Sequence, residues 1–168
     1  MYCNRWWRNT THHETYKQLK VLNIKACRDM TAKALYCALR NCPLLEELSL
    51  EYCTNFSNHG LLSIAQRPLN LKYFSLTVKN QQIETKGAQL ISKIAIHSHL
   101  KELKLRSCTD ISKDTVLRFT GICPDLREIN LSNCINNNED VDIIFRVCDD
   151  CQFVKEFKMY HQIVHRKS

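Results

Sequence analysis

The sequence predicts an α/β solenoid, a short curved arc with parallel strands on its concave side and helices on its convex side. Three observations carry that expectation. First, a nine-residue phrase recurs: apolar, two variable residues, apolar, one variable, apolar, two variable, then usually cysteine. Second, its starts at Leu19, Leu45, Leu71, Leu100, Leu126 and Val154 are 26, 26, 29, 26 and 28 residues apart. Third, the stretches between phrases carry apolar residues at helical spacing behind a Ser or Thr.

The phrases read as strands. Leu19-Leu22-Ile24-Cys27 is the first copy, Leu45-Leu48-Leu50-Cys53 the second, Leu100-Leu103-Leu105-Cys108 the fourth and Leu126-Ile129-Leu131-Cys134 the fifth. The third, Leu71-Phe74-Leu76, has Lys79 in the cysteine slot, and a weaker sixth, Val154-Phe157-Met159, ends at Gln162. Within each copy the last two apolar residues alternate, which puts them on one face of a strand. After each cysteine comes an apolar anchor (Met30, Phe56, Ile83 or Ile111), then a capping hydroxyl on Thr31, Ser57, Thr85 or Ser112. Such hydroxyls accept the otherwise unpaired N–H groups of a first helical turn. Leu61, Leu62, Ile64 and Ala65 supply one helix face, and Leu90, Ile91, Ile94 and Ala95 another. Val141, Ile144, Phe145 and Cys148 do so in the fifth unit, behind the acidic first turn of Glu139, Asp140 and Asp142. Pro43 and Pro124 stop two of the helices, because proline has no N–H to extend the turn.

One such unit cannot bury its own apolar face. Stacked units bury a continuous core, and crossovers that all run the same way force the strands to be parallel. A leucine-rich phrase at this period is the signature of a leucine-rich-repeat solenoid. The ends of such a stack need covers, and Trp6 or Trp7 is expected to cover the first. The domain limits expected are 1–18 for that cap, 19–162 for about six repeats and 163–168 for a frayed basic tail.

Composition narrows the function. The 168 residues are one domain's worth of chain. The chain has no apolar run long enough for a membrane span and no signal-type segment at its start. An intracellular setting, cytoplasmic or nuclear, is therefore expected, with the ten cysteines mostly reduced. The formal charge is +7, with basic residues gathered toward the ends. No basic stripe with interleaved aromatics appears, so no nucleic acid is expected as a partner.

The chemistry-bearing residues read mainly as structure. Cys27, Cys53, Cys108 and Cys134 fall at one repeat position, so stacking sets them in a row roughly 5 Å apart. A row does not converge on a tetrahedral metal, whereas small buried thiols pack well. Cys148 and Cys151, with His161 and His165, could be drawn as a two-cysteine, two-histidine site, but the sixth strand lies between them. His12, His13, His97 and His99 imply no nucleophile or acid partner, and three glycines leave no phosphate loop. No catalysis, metal or cofactor is expected.

The unit, with cysteine ninth, an apolar–Ser/Thr pair and Cys-Pro before the next strand, resembles the cysteine-containing leucine-rich repeats of the F-box/leucine-rich-repeat family. At the amino terminus Cys3-Asn4-Arg5-Trp6-Trp7-Arg8, then Tyr16 and Leu19, resembles the closing part of an F-box, of which the chain carries only the last helix and exit loop. The resemblance implies a protein-interaction module that recognises substrate for an SCF-type ubiquitin ligase in ubiquitin-dependent degradation. An SKP-type adaptor would then bind only if the box were completed upstream. The alternative is a stand-alone leucine-rich-repeat adaptor or inhibitor. Either way a protein substrate is expected on the concave face. The candidates there are Glu47, Ser49, Glu51, Tyr73, Ser75, Thr77, Glu102, Lys104, Arg106, Glu128, Asn130, Ser132, Glu156, Lys158 and Tyr160.

Overall fold

The computed structural model describes residues 16–134, except 28–29, 54–56, 68, 79–84, 97 and 109–110, together with 156–159 and 162–165. Of 85–86, 113, 156–159 and 162–165 it describes the backbone alone. Strand and helix alternate: β1 (Val21–Lys25), α1 (Ala32–Arg40), β2 (Glu47–Glu51), α2 (Asn58–Ala65), β3 (Tyr73–Thr77), α3 (Thr85–Ile96), β4 (Glu102–Arg106), α4 (Lys113–Ile122) and β5 (Glu128–Asn130). Then come β6 (Glu156–Met159) and β7 (Gln162–His165).

All seven strands form one sheet in chain order. β1 to β6 pair in parallel, and β7 returns antiparallel along β6. Each phrase thus becomes a strand, and equivalent leucines are register partners: Leu22, Leu48, Phe74, Leu103 and Ile129 follow one another across the sheet. Right-handed crossovers that always step one strand onward place every helix on the same face. α1 packs on α2, α2 on α3 and α3 on α4. Between the layers lie the fully buried Leu48, Leu50, Phe74, Leu76, Leu103 and Leu105 from the strands, and Leu35, Leu61, Ile91 and Phe119 from the helices.

The curved leucine-rich-repeat arc is corrected. The strands and helices form a flat, uncurled, alternating parallel α/β layer, Rossmannoid-like in its alternation. The physical reason is that a repeated phrase specifies that each unit stacks on the last. It does not specify the small rotation between units that would bend the stack. The strand order is sequential, so these strands lack the reversal that makes the crevice of a doubly wound sheet. The description as a leucine-rich-repeat, F-box-like module of an SCF ubiquitin ligase complex rested on that architecture and falls with it. The F-box-like segment up to residue 15, with Trp6 and Trp7, lies outside the described residues, as do the helix expected over 141–148 and Cys151. Ile163, Val164 and His165, in the segment expected as the tail, are register partners of β6.

Local chemistry repeats with the units. Ala26, Tyr52, Ser107 and Asn133 all have φ between 54° and 60°. Each stands just before a ladder cysteine. In this left-handed conformation the N–H points along the sheet. Ala26 donates to the Glu51 carbonyl (2.8 Å), Tyr52 to Thr77 (2.9 Å) and Ser107 to Ser132 (3.0 Å). The turn therefore extends the strand ladder by one rung, which offsets the steric cost of a side chain at positive φ.

The cysteines pack as expected and differ in redox state at one end. Cys53, Cys108 and Cys134 are buried free thiols. Cys134 Sγ donates to the Leu105 carbonyl at 3.0 Å, one strand back, and Cys53 lies 3.8 Å from that of Ile24. Cys27 is disulfide-bonded and is the exception in the row. The other described cysteines, Cys37, Cys42, Cys53, Cys108, Cys123 and Cys134, are free. The Cys134 thiol beside Cys108, together with burial, pushes the Cys108 thiol far up, and burial pushes Cys123 up to about 11. Thiolate is the reactive species, so these thiols are inert while folded. Timed alkylation followed by peptide mapping should label exposed Cys37 first. Cys53, Cys108 and Cys134 should react only on unfolding; early labelling of Cys108 in folded protein would contradict this packing.

The caps divide. Thr31 accepts from the Ala34 N–H at 3.1 Å and Ser112 from the Thr115 N–H at 3.3 Å, as the sequence predicts. Ser57 makes no side-chain cap bond, and Thr85 is the first residue of α3 rather than the one before it. α1 and α4 end at Arg40 and Ile122, ahead of the two Cys-Pro pairs.

Candidate interaction face

The face of the sheet away from the helices is ordered in rows by strand register. The first row runs Val21, Glu47, Tyr73, Glu102, Glu128 and Glu156. The second runs Asn23, Ser49, Ser75, Lys104, Asn130 and Lys158, and the third Lys25, Glu51, Thr77 and Arg106. Adjacent strands are about 4.8 Å apart, so neighbours within a row can touch. The structure thus brings together every candidate from Glu47 to Asn130, because each occupies a variable slot between the buried leucines. Ser132 follows β5, and Glu156 and Lys158 hold register positions in β6. Tyr160 lies outside the described residues.

Burial grades the rows. Ser49, Thr77 and Asn130 are buried, whereas Tyr73 and Arg106 are exposed. Small residues in the middle are covered by longer side chains beside them. Asn130 is held in place: its Oδ1 accepts from the Ser132 hydroxyl at 2.7 Å and the Ser132 N–H at 3.1 Å. Those bonds fix the chain where it leaves β5.

Charges pair across strands. Lys104 bridges Glu102 and Glu128, the latter at 3.6 Å. Lys25 meets Glu51 at 2.9 Å and lies 6.0 Å from the centre of the Tyr52 ring. The hydrogen bond to the Glu51 carboxylate raises the Lys25 ammonium above its ordinary value. Arg106 has no ion-pair partner among the described residues.

A further row was not singled out from the sequence. Lys20, Glu46, Lys72, Lys101 and Arg127 sit one position ahead of the strands, joined by N–H to carbonyl bonds of 2.8, 2.7, 2.7 and 2.9 Å. The signal was present: each is the residue directly after the first apolar position of a phrase. Glu46 accepts from Lys72 at 2.6 Å and meets Lys20 at 3.2 Å. The hydrogen bond from Lys72, followed by that from Lys20, holds the Glu46 carboxyl below its ordinary value of 4.5.

A depressed carboxyl stabilises the fold above its unfolded value and loses that contribution as pH falls through the lower folded value. Glu46→Gln should therefore lower the melting temperature slightly near neutrality. The two proteins should converge in acid below the folded value. A constant gap between their melting curves at all pH values would show that Glu46 acts by packing alone. The group is solvent-exposed, so the effect is small.

Comparison with known protein families finds none that matches the chain. Among the described residues no group of three or more His, Cys, Asp or Glu could hold a metal ion. Nor is any helix among them long and apolar enough to cross a membrane. What the open face offers is recognition chemistry: carboxylates, the cations Lys25, Lys104 and Arg106, and Tyr73, set on rigid strands, with Tyr52 in the turn after β2. Tyrosine and arginine are the side chains that most often anchor protein interfaces.

Proposed function

We propose that this chain is a protein-binding module that seats a protein partner on the open face of its sheet and performs no chemistry of its own. The observation that supports the reading most is the register of that face. Three rows of polar, charged and aromatic side chains, drawn from five consecutive strands, stand opposite the helix layer. Rigid strands pre-order these groups, which reduces the entropy lost on association. Six of the seven described cysteines are free and one, Cys27, is disulfide-bonded; the predominance of free thiols supports placing the protein inside the cell.

The test compares three forms of the full chain as bait in cell extract. These are the parent, a face variant (Tyr73→Ala with Arg106→Glu) and a helix-layer control, Arg40→Glu. Any captured protein is then purified and titrated by calorimetry. All three should fold alike, since these side chains are exposed. A partner held by parent and control and lost by the face variant supports the reading. A partner whose affinity the face variant leaves unchanged overturns it.

A further inference from the structure

The helix layer carries a second surface, independent of the open face and on the opposite side of the sheet. α3 and α4 pack together, and a groove between their outer surfaces has a volume of about 490 Å³. Both helices belong to crossovers of the same hand and direction, so they run parallel. Each wall presents the same sequence of chemistry. On α3, Lys93 is followed one turn later by Ile96; on α4, Arg118 is followed one turn later by Ile122. The groove therefore has a cationic half and an apolar half, in the same order along both walls.

Ile122 is half-buried against the core, whereas Ile96 and the two cations stand free of it. Among the described residues Lys93 and Arg118 have no ion-pair partner, and Asp114 is the one acid lining the groove. Ile96 is 56% exposed, the most exposed large apolar residue among those described. Ile94, two positions earlier on the same helix, is 3% exposed and serves the core. Ile96 stands in water next to these two cations, so the groove offers an apolar contact beside a cationic one.

We infer that this groove docks an amphipathic helix of a partner protein, with carboxylates on one turn and apolar side chains on the next. Charge complementarity selects the carboxylates, because the lining brings two cations against one acid. The apolar turn is selected by Ile96 and Ile122. A helix is selected because the wall residues repeat at one-turn spacing, which a third helix can match. A helix also satisfies its own backbone N–H and C=O groups, so its apolar side enters the groove without leaving them unpaired. The lining is mostly exposed, which suits a segment laid along the surface better than a small molecule that must be enclosed. Carboxylates on the first turn of the incoming helix would also meet its own dipole favourably, which sets it parallel to α3 and α4.

The probe is a fluorescent, helix-stapled peptide with glutamates on its first turn and leucines on the next, titrated into the full chain by anisotropy. A peptide with lysines in place of the glutamates is the comparator. The glutamate peptide should bind and the lysine peptide should not. Lys93→Glu with Arg118→Glu should weaken binding by about tenfold or more, through loss of complementarity. Ile96→Ala should weaken it with no change in melting temperature, since Ile96 is outside the core. Arg106→Glu, on the other face of the sheet, should leave binding unchanged. Equal binding of both peptides, no binding of either, or indifference to the Lys93 and Arg118 reversals would each overturn the assignment. So would a free medium-chain fatty acid that competes the peptide off while the peptide shows no dependence on Ile96.

Discussion

Leu103→Asp is expected to unfold the domain. Leu103 sits in β4 with 0% exposure, paired on one side with Phe74 and on the other with Ile129. The substitution removes a leucine from the core, a loss of about 2–5 kcal/mol for truncation alone. It also sets a carboxyl among apolar neighbours with no donor in reach, and an unpaired buried polar group adds several kcal/mol, roughly, to the cost. Together these approach the whole stability of an ordinary domain, about 5–15 kcal/mol. The far-ultraviolet dichroism of the variant should be that of a largely unfolded chain at 25 °C. Leu103→Ala should stay folded with a reduced melting temperature. A soluble Leu103→Asp protein melting with the parent would mean that β4 does not face the helices.

That expectation was already available from the sequence, because the phrase places Leu103 at its second apolar position. The same logic located all five described phrases in strands and put their variable residues together on one face. It worked because a strand's side chains alternate with a period of two, and burial of one face pins the register. Other features left no such trace. The left-handed turns at Ala26, Tyr52, Ser107 and Asn133 share no side-chain chemistry, and none is a glycine. At Ala26, Tyr52 and Ser107 the turn makes an N–H to carbonyl rung to the next strand, a property of position rather than of residue type. The bend of the stack was read from the repeat class and not from any residue, and that expectation failed. β7 was missed because His161–His165 lacks the phrase, whereas an antiparallel return needs only a turn. The groove between α3 and α4 had a partial signal: the 29-residue spacing falls between the third and fourth phrases, and α3, with 12 residues, is the longest described helix. The cations and isoleucines that line it could not be assigned to one groove without knowing which helix faces meet.

Phe119→Ala should produce the second large loss and tests whether the helix layer is one structure with the sheet. Phe119 and Phe74 are the two largest fully buried side chains. Phe119 belongs to α4, the last described helix, where a layer held only by its neighbours would come loose first. Truncating a buried phenylalanine costs about 3–5 kcal/mol, part transfer and part cavity. At about 2–4 °C per kcal/mol for a chain of this size, the melting temperature should fall by roughly 10 °C. The shape of the transition decides more than its midpoint. α4 is tied to α3 through Cys123, whose Sγ lies 4.0 Å from the Ala95 carbonyl, and β5 follows it directly in the sheet. Loss of packing under α4 should therefore lower the single transition of the whole domain, with helix dichroism and burial of Cys53 in β2's turn lost together. If α4 melted first while Cys53 stayed protected from alkylation, the two layers would be separable. The groove that α4 forms with α3 could then open without unfolding the sheet. Coincident loss means that a partner bound in the groove would stabilise the open face on the other side as well, because both draw on the core that Phe119 fills.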